Sequence, residues 1–362
     1  MQKLKDIVIY EDNGYNAFPS IARGTDGTYY LTFWHAPDRR AEWGGNTHMD
    51  EDSVAYLMTS ADGVSWSNPQ NIKDWAGYGK RCQYASVHAL VDGSILVSHN
   101  IWKIEPAIKK PMLQKVLRPC VIGAHYPEDR IGVMDGAYAS LISDGGSTVK
   151  GPFLIEKNCF QQGGKIAQLP DGTILAPVCS YEGEIDNSEY AASVNVVLYA
   201  STDSGVHWEP YSFVSGLING NYAEEPTLFM TKSGKLCCFM RTTETMYYCF
   251  SDDQGHTWSE PVNSGLPGEV PYNALQLRDG RIFLSYGNRA EPYGIRALML
   301  NSELNDISPE REIILRDDGS SRDLSYTWAE SLPNGDILVT YYFQNENIYD
   351  GRRHIAGTIL RP

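Results

Sequence analysis

No stretch of this 362-residue sequence approaches the ~18 consecutive apolar residues of a membrane-spanning helix. The opening "MQKLKDIVIYED" has no apolar run of signal-peptide length. The expectation is a soluble protein of a reducing compartment, the cytoplasm; a leader removed beforehand would leave the same start in a periplasmic or secreted protein. Positive charge is scarce: 30 Lys and Arg stand against 45 Asp and Glu, a net charge of −15, with a pI near 5.0. Nucleic acid and anionic membranes, which call for clustered cations, are therefore poor partners, and a neutral or weakly charged ligand fits better. The seven cysteines are scattered, and the only close pair, Cys237 and Cys238, has no Cys-x-x-Cys spacing. Neither a zinc site nor a disulfide framework is implied. Amphipathic helical periodicity is scarce, and no Pro/Ser-rich linker divides the chain. Length alone would allow two ordinary domains, but a single repeat fold over residues 1–362 is the reading that the rest of the sequence supports.

What recurs is a short apolar strand, an Asp-Gly or similar turn, and a second strand rich in β-branched and aromatic residues. The copies are "GTDGTYYLTFW", "LVDGSILVSHN", "LPDGTILAPVC", "TKSGKLCCFMR", "LRDGRIFLSYG" and "LPNGDILVTYY". Turns of this kind between such runs are the strongest short-range hairpin signal. Their glycines, Gly27, Gly93, Gly172, Gly234, Gly280 and Gly335, recur about every 62 residues, room for a four-stranded blade with its loops. Six copies predict an all-β, six-bladed β-propeller. The strands in "DIVIYED" and "HIAGTILRP" should close the ring by sharing the last blade, which removes exposed edges.

A second repeat is interleaved with the first. "SADGVSW" (Ser60 to Trp66), "STDSGVHW" (Ser201 to Trp208) and "SDDQGHTW" (Ser251 to Trp258) are tight Asp- and Gly-bearing turns closed by Trp, with a worn copy at "SDGGS" (Ser143 to Ser147). Metal binding by these aspartates is the weaker interpretation. Asp caps its own turn backbone, Gly supplies positive φ, and Trp packs beneath. His35, His88 and His125 have no spaced ligand partner, so no metal or other cofactor is expected. "RDDGSSRD" (Arg316 to Asp323) reads as a polar turn before a strand rather than a calcium loop.

Radial repetition also indexes a site. Residues nine before each turn glycine, and seven to nine after it, lie at the opposite end of the inner hairpin and converge near one face of the ring. The earlier offset selects Phe18, Tyr84, Gly163, Glu225, Pro271 and Tyr326. The later one selects, approximately, His35, Asn100, Cys179 to Tyr181, Arg241, Arg289 and Tyr342. A carboxylate, tyrosines, arginines and a histidine thus gather at one end of the axis.

The Asp- and Gly-bearing turns resemble the Asp-box of sialidases and related propellers, where it joins the third and fourth strands of a blade. "EEPTLFMTKSGKLCCFMR" is similar to the sialidase segment in which a Glu starts a strand and an Arg ends the hairpin; here they are Glu225 and Arg241. "SYTWAESLPNGDILVTYY" resembles the segment with the nucleophilic tyrosine, Tyr326, and "LSYGNR" is placed like the segment bearing the last arginine of the family's triad, Arg289. "YGNRAEPYGIR" followed by "RDDG" and "DLSY" resembles a group of bacterial BNR/Asp-box proteins. Two departures stand out. Sialidases open the first blade with Arg-Ile-Pro, whereas "NAFPS" places Ala17 at the first triad arginine, and the glutamate that holds that arginine is here Tyr342.

The resemblance implies an exo-acting retaining glycosidase on a glycan or oligosaccharide whose terminal sugar bears a carboxylate. Sialidases use a tyrosine where most retaining enzymes use a carboxylate; a substrate carboxylate repels an anionic attacker less when the attacker is a phenol activated by Glu. Tyr326 is then the nucleophile and Glu225 the acceptor of its proton. The acid is expected from "HAPDRRAEWGGNTHMDEDSVAY", where Asp50 leads, His48 follows, and Glu51 and Asp52 compete. Arg241 and Arg289 fork a carboxylate, with His35 and Tyr342 completing the binding set. Three alternatives stand beside this one: Glu225 and Arg241 as a structural ion pair, a polysaccharide lyase acting on a uronate, and a glycan-binding propeller without catalysis.

Overall fold

The structure, a computed structural model, describes residues 1–43, 50, 52–72, 80–106, 120–121, 130–157, 159, 164–182, 193–345 and 352–362. Its six turn glycines explain the architecture. Each adopts the left-handed conformation (φ 87° to 93°) and donates its N–H to the carbonyl three residues earlier, a geometry that side-chain-bearing residues resist. Each therefore reverses the chain tightly enough to pair the strands on either side.

Six antiparallel sheets result, the blades of a β-propeller. In the first, the innermost strand Tyr15–Arg23 pairs with Tyr29–Ala36, then Val54–Ser60, then Gln70–Asn71. The fourth runs Glu224–Met230, Leu236–Arg241, Thr245–Ser251 and Val262–Pro267. The second carries one further short strand, Cys120–Val121. In the sixth, Ser325–Ser331, Ile337–Phe343 and His354–Arg361 are completed by Gln2–Tyr10. The two chain ends thus share a blade, as the terminal strands suggested, and the ring has no unpaired seam there. Among the described residues the only α-helix is a single turn, Arg40–Trp43.

The Asp-bearing turns join third to fourth strands. In each full copy the aspartate is consumed by its own turn: Asp62 accepts from the N–H groups of Val64 and Ser65 (2.7 Å each), Asp203 from His207 (2.9 Å) and Asp253 from Thr257 (2.9 Å). These bonds hold the carboxyls of Asp62 and Asp203 down at about 2. Trp208 and Trp258 donate back to the carbonyls of Gly205 and Gly255. Cys159, Cys179, Cys237, Cys238 and Cys249 are buried free thiols. Among the described residues, no helix is long and apolar enough to cross a membrane.

Candidate active site

Four of the residues nine before a turn glycine share an unusual backbone. Phe18, Tyr84, Glu225 and Tyr326 all have positive φ, between 46° and 55°. At each one the innermost strand slips register against its neighbour, between Ala17 and Ser20, Gln83 and Ser86, Glu224 and Thr227, and Ser325 and Trp328. These are β-bulges, which kink a strand and re-aim a side chain. A left-handed residue other than glycine costs about 1 kcal/mol or more, so four equivalent copies mark a position the fold uses. The fifth blade has Pro271 there, and its strand Asn273–Gln276 starts later. Gly163, the third-blade equivalent, lies outside the described residues, as do His48, Glu51 and His125.

The bulges bring Tyr326 of the sixth blade onto Glu225 of the fourth. The Tyr326 hydroxyl donates to Glu225 Oε1 at 2.5 Å, and Arg241 Nε lies 2.9 Å from Glu225 Oε2. Arg241 also reaches Glu224 at 3.1 Å and donates to the carbonyl of Glu269 at 2.8 Å. Glu225 and Tyr326 are 1% and 5% exposed, so this carboxylate and phenol are screened little by water. Burial, then the charge of Glu225, then that of Tyr84 when it is ionised, pushes the Tyr326 phenol well above its ordinary range, while Arg241 and Arg289 pull it down. Burial works against the Arg241 charge, yet Glu225, Tyr326 and Glu224 together hold it more firmly protonated than usual. Burial raises Glu224, Arg241 opposing.

Arg289 lies beside the same phenol, its guanidinium carbon 5.8 Å from the Tyr326 ring centre. It donates to the Tyr342 hydroxyl (3.3 Å) and to the carbonyl of Leu324 (3.4 Å), while its buried Nε has no hydrogen-bond acceptor among the described residues. Tyr342 donates in turn to Asp323 (3.0 Å), which also accepts from Tyr15 (2.6 Å) and pairs with Arg353 (3.1 Å). Phe18 packs into the tyrosines, its ring 4.4 Å from Tyr84, 4.8 Å from Tyr326 and 5.4 Å from Tyr342. Ala17 is fully buried and brings no charge; the neighbouring Asn16 N–H meets the carbonyl of Arg353 (3.4 Å).

The structure therefore joins Tyr326, Glu225, Arg241, Arg289 and Tyr342 in one cluster. His35 sits apart, bonded to Asn16 (3.0 Å), near Asp12 (3.6 Å) and against the ring of Tyr56; burial lowers its pKa and Asp12 opposes. Asp50 is 1% exposed and clamped by Arg39 at 2.9 and 3.3 Å and by the Asp52 N–H at 2.8 Å. No hydrogen bond or ion pair among the described residues links it to Tyr326 or Glu225. Sequence reasoning passed over Asp323, Arg353, Tyr15 and Glu224. Asp323 was legible only as part of a polar turn, and Arg353 belongs to a connection that the hairpin offsets do not index. Tyr84 fell at the offset but had no charge to single it out.

A partly open cavity of about 150 Å³ lies elsewhere, toward the hairpin-turn end of the inner strands, lined by Lys165, Glu330, His88 and Trp328 among others. The chemistry sits with the bulged cluster, where donors and acceptors meet at bonding distance. Among the described residues, no group of three or more His, Cys, Asp or Glu side chains is arranged to hold a metal ion.

Comparison with known proteins places the fold. A model of the BNR repeat-like domain matches residues 154–339. A crystal structure of a Dyadobacter fermentans protein of unknown function is 30% identical, with 99% of each chain covered and a TM-score of 0.85. The Hadza microbial sialidase Hz136 is 15% identical, over 96% of this chain and 66% of its own, with a TM-score of 0.64. The intramolecular trans-sialidase of Ruminococcus gnavus, in complex with oseltamivir carboxylate, is 12% identical, over 96% and 94%, with a TM-score of 0.60. At these identities the two sialidases speak for the fold alone. Among curated proteins none matches.

Proposed function

The chain belongs to the BNR repeat-like family, and from that premise we propose that it is a sialidase-like exo-glycosidase that cleaves a terminal, acidic sugar by a retaining mechanism. The observation that carries the reading is the 2.5 Å bond from the Tyr326 hydroxyl to Glu225, with Arg241 2.9 Å from the other carboxylate oxygen. A phenol is a weak nucleophile until a base takes its proton, and a carboxylate within hydrogen-bond reach is that base.

In this reading the Tyr326 oxygen attacks the anomeric carbon while its proton passes to Glu225. The leaving oxygen takes a proton from Asp50 or from His48 in the same loop. Water then resolves the glycosyl-tyrosine. Arg241 keeps the Glu225 carboxylate oriented, and Arg289, whose buried Nε has no acceptor among the described residues, meets a carboxylate oxygen of the sugar. Tyr342, whose hydroxyl lies 3.3 Å from the Arg289 guanidinium, steadies that arginine. Burial supports the scheme, because a guanidinium and a carboxylate interact more strongly where water is excluded.

The test is mass spectrometry of the products formed from a panel of sialosides, uronides and neutral glycosides, by the native protein and by Tyr326→Phe. A released acidic sugar carrying one added water, absent with the variant, supports the reading. An unsaturated product makes the protein a lyase. Sugar binding with no product makes it a glycan-binding propeller.

A further inference from the structure

Tyr84 has no task in that scheme, yet the fold treats it as the counterpart of Tyr326. It stands on the second blade at the equivalent bulge, with φ 55° against 50°. The two rings stack with centres 5.6 Å apart and planes inclined by 17°, and the hydroxyl oxygens lie 3.5 Å apart. Phe18 holds the pair from one side. Burial, then Glu225, raises the Tyr84 phenol, so at neutral pH it keeps its proton and is a donor. A separation of 3.5 Å is longer than a resting O–H···O bond, but bonds to a reacting oxygen commonly tighten only when charge develops there.

We propose that Tyr84 is a positioning residue that donates its hydroxyl hydrogen bond to the Tyr326 oxygen whenever that oxygen carries negative charge. The catalytic consequence rests on the hydrolase reading, whereas the coupling of the two phenols does not. In the first half-reaction the bond from Tyr326 oxygen to anomeric carbon forms, the glycosidic bond breaks, and the phenolic proton goes to Glu225. In the second, water bonds to the same carbon and the bond to Tyr326 breaks. The electron pair returns to the phenolic oxygen, Glu225 gives its proton back, and the proton lost by water restores the general acid. Tyr84 loses no proton in either half. Its bond strengthens as the Tyr326 oxygen departs, because a donor to an anion is held about twice as strongly as a donor to a neutral group. Tyr84 therefore matters most when the glycosyl-tyrosine breaks down.

The experiment places 3,5-difluorotyrosine at position 326 of the full chain, which makes that ring more acidic, and follows its ionisation by fluorine NMR. Tyr84→Phe should raise the midpoint by about one pH unit, the worth of one hydrogen bond to a charged group. A 3-fluorotyrosine at position 84, a stronger donor on the same ring, should lower it, so a folding defect in one variant does not end the test. Unmoved midpoints overturn the proposal. With a substrate from the panel, Tyr84→Phe should lower kcat about tenfold, as for one such bond, and leave a glycosyl adduct on Tyr326 in quenched samples. If Tyr326→Phe still turns over, the hydrolase reading falls, and the fluorine titration alone decides on the coupling.

Discussion

The two ends of the propeller axis hold similar ingredients and treat them differently. At the bulged end, Glu225 is held at 2.5 Å by Tyr326 and at 2.9 Å by Arg241. At the hairpin-turn end, Lys165 and Glu330 line a common cavity and influence each other's protonation, but no ion pair within 4.0 Å joins them among the described residues. Lys165 instead approaches the carbonyl of Ala274 (3.4 Å) and the ring of Trp328 (5.6 Å). Burial lowers Lys165 with Glu330 opposing, and raises Glu330 with Lys165 opposing. Buried charge is therefore not in itself the mark of the site. What separates the ends is backbone: left-handed bulges aim side chains at one another at one end, whereas strands in regular register leave the other end's groups facing across a gap.

The largest test of that contrast is catalytic. Tyr326→Phe should lower turnover by about 10³-fold or more, as expected for loss of a nucleophile, while the folded chain persists; Lys165→Met, in the same assay, should stay within about twofold. Comparable losses in both variants would erase the distinction between the ends. The next effect is on stability. Glu225→Gln leaves Arg241 buried with only Glu224 as its counter-charge, and should cost about 2 kcal/mol by urea unfolding, with part of it recovered in Glu225→Gln/Arg241→Met. No recovery in the double variant would mean that the cost lies in packing instead of charge.

The effect furthest from the site concerns pH. Burial holds His88 and His99 neutral with pKa values lowered to about 3, and His354 to about 4, against an ordinary 6.5. The unfolded chain takes up these protons below pH 6.5 and the folded chain does not. Their contribution to stability is thus complete above 6.5 and is lost as the pH falls toward 4 and 3, by up to about 1.4 kcal/mol per pH unit for each histidine. His88→Gln should make the acid side of a urea-midpoint profile shallower, by about one third of the slope that His88, His99 and His354 contribute together. An identical slope would show that His88 takes up its proton in the folded state as readily as in the unfolded chain.

Much of this was legible in the residues themselves. Gly27 and its five counterparts announced the hairpins because a tight reversal needs positive φ, and Ser60, Asp62 and Gly63 announced a self-capped turn because all their partners are local. Tyr326, Glu225, Arg241 and Arg289 were found by counting from those glycines, since repetition carries equivalent positions to the same end of the ring. The carboxylates were harder. Asp50 belongs to the loop singled out for the general acid, yet Arg39 holds it; Asp323 was taken for turn chemistry, yet Tyr15, Tyr342 and Arg353 gather on it. No local pattern distinguishes an aspartate that meets a neighbouring arginine from one that meets residues some 300 positions away.

Hairpins, Asp-boxes and the order of the blades follow from interactions within about ten residues, so the one-dimensional chain suffices to specify them. The meeting of Tyr326 with Glu225 across 101 positions, the stacking of Tyr84 on Tyr326 and the anchoring of Arg353 beside Asn16 depend on closing the ring. Closure is made by Gln2–Tyr10 pairing with His354–Arg361, which ties the first strand of the chain into its last blade.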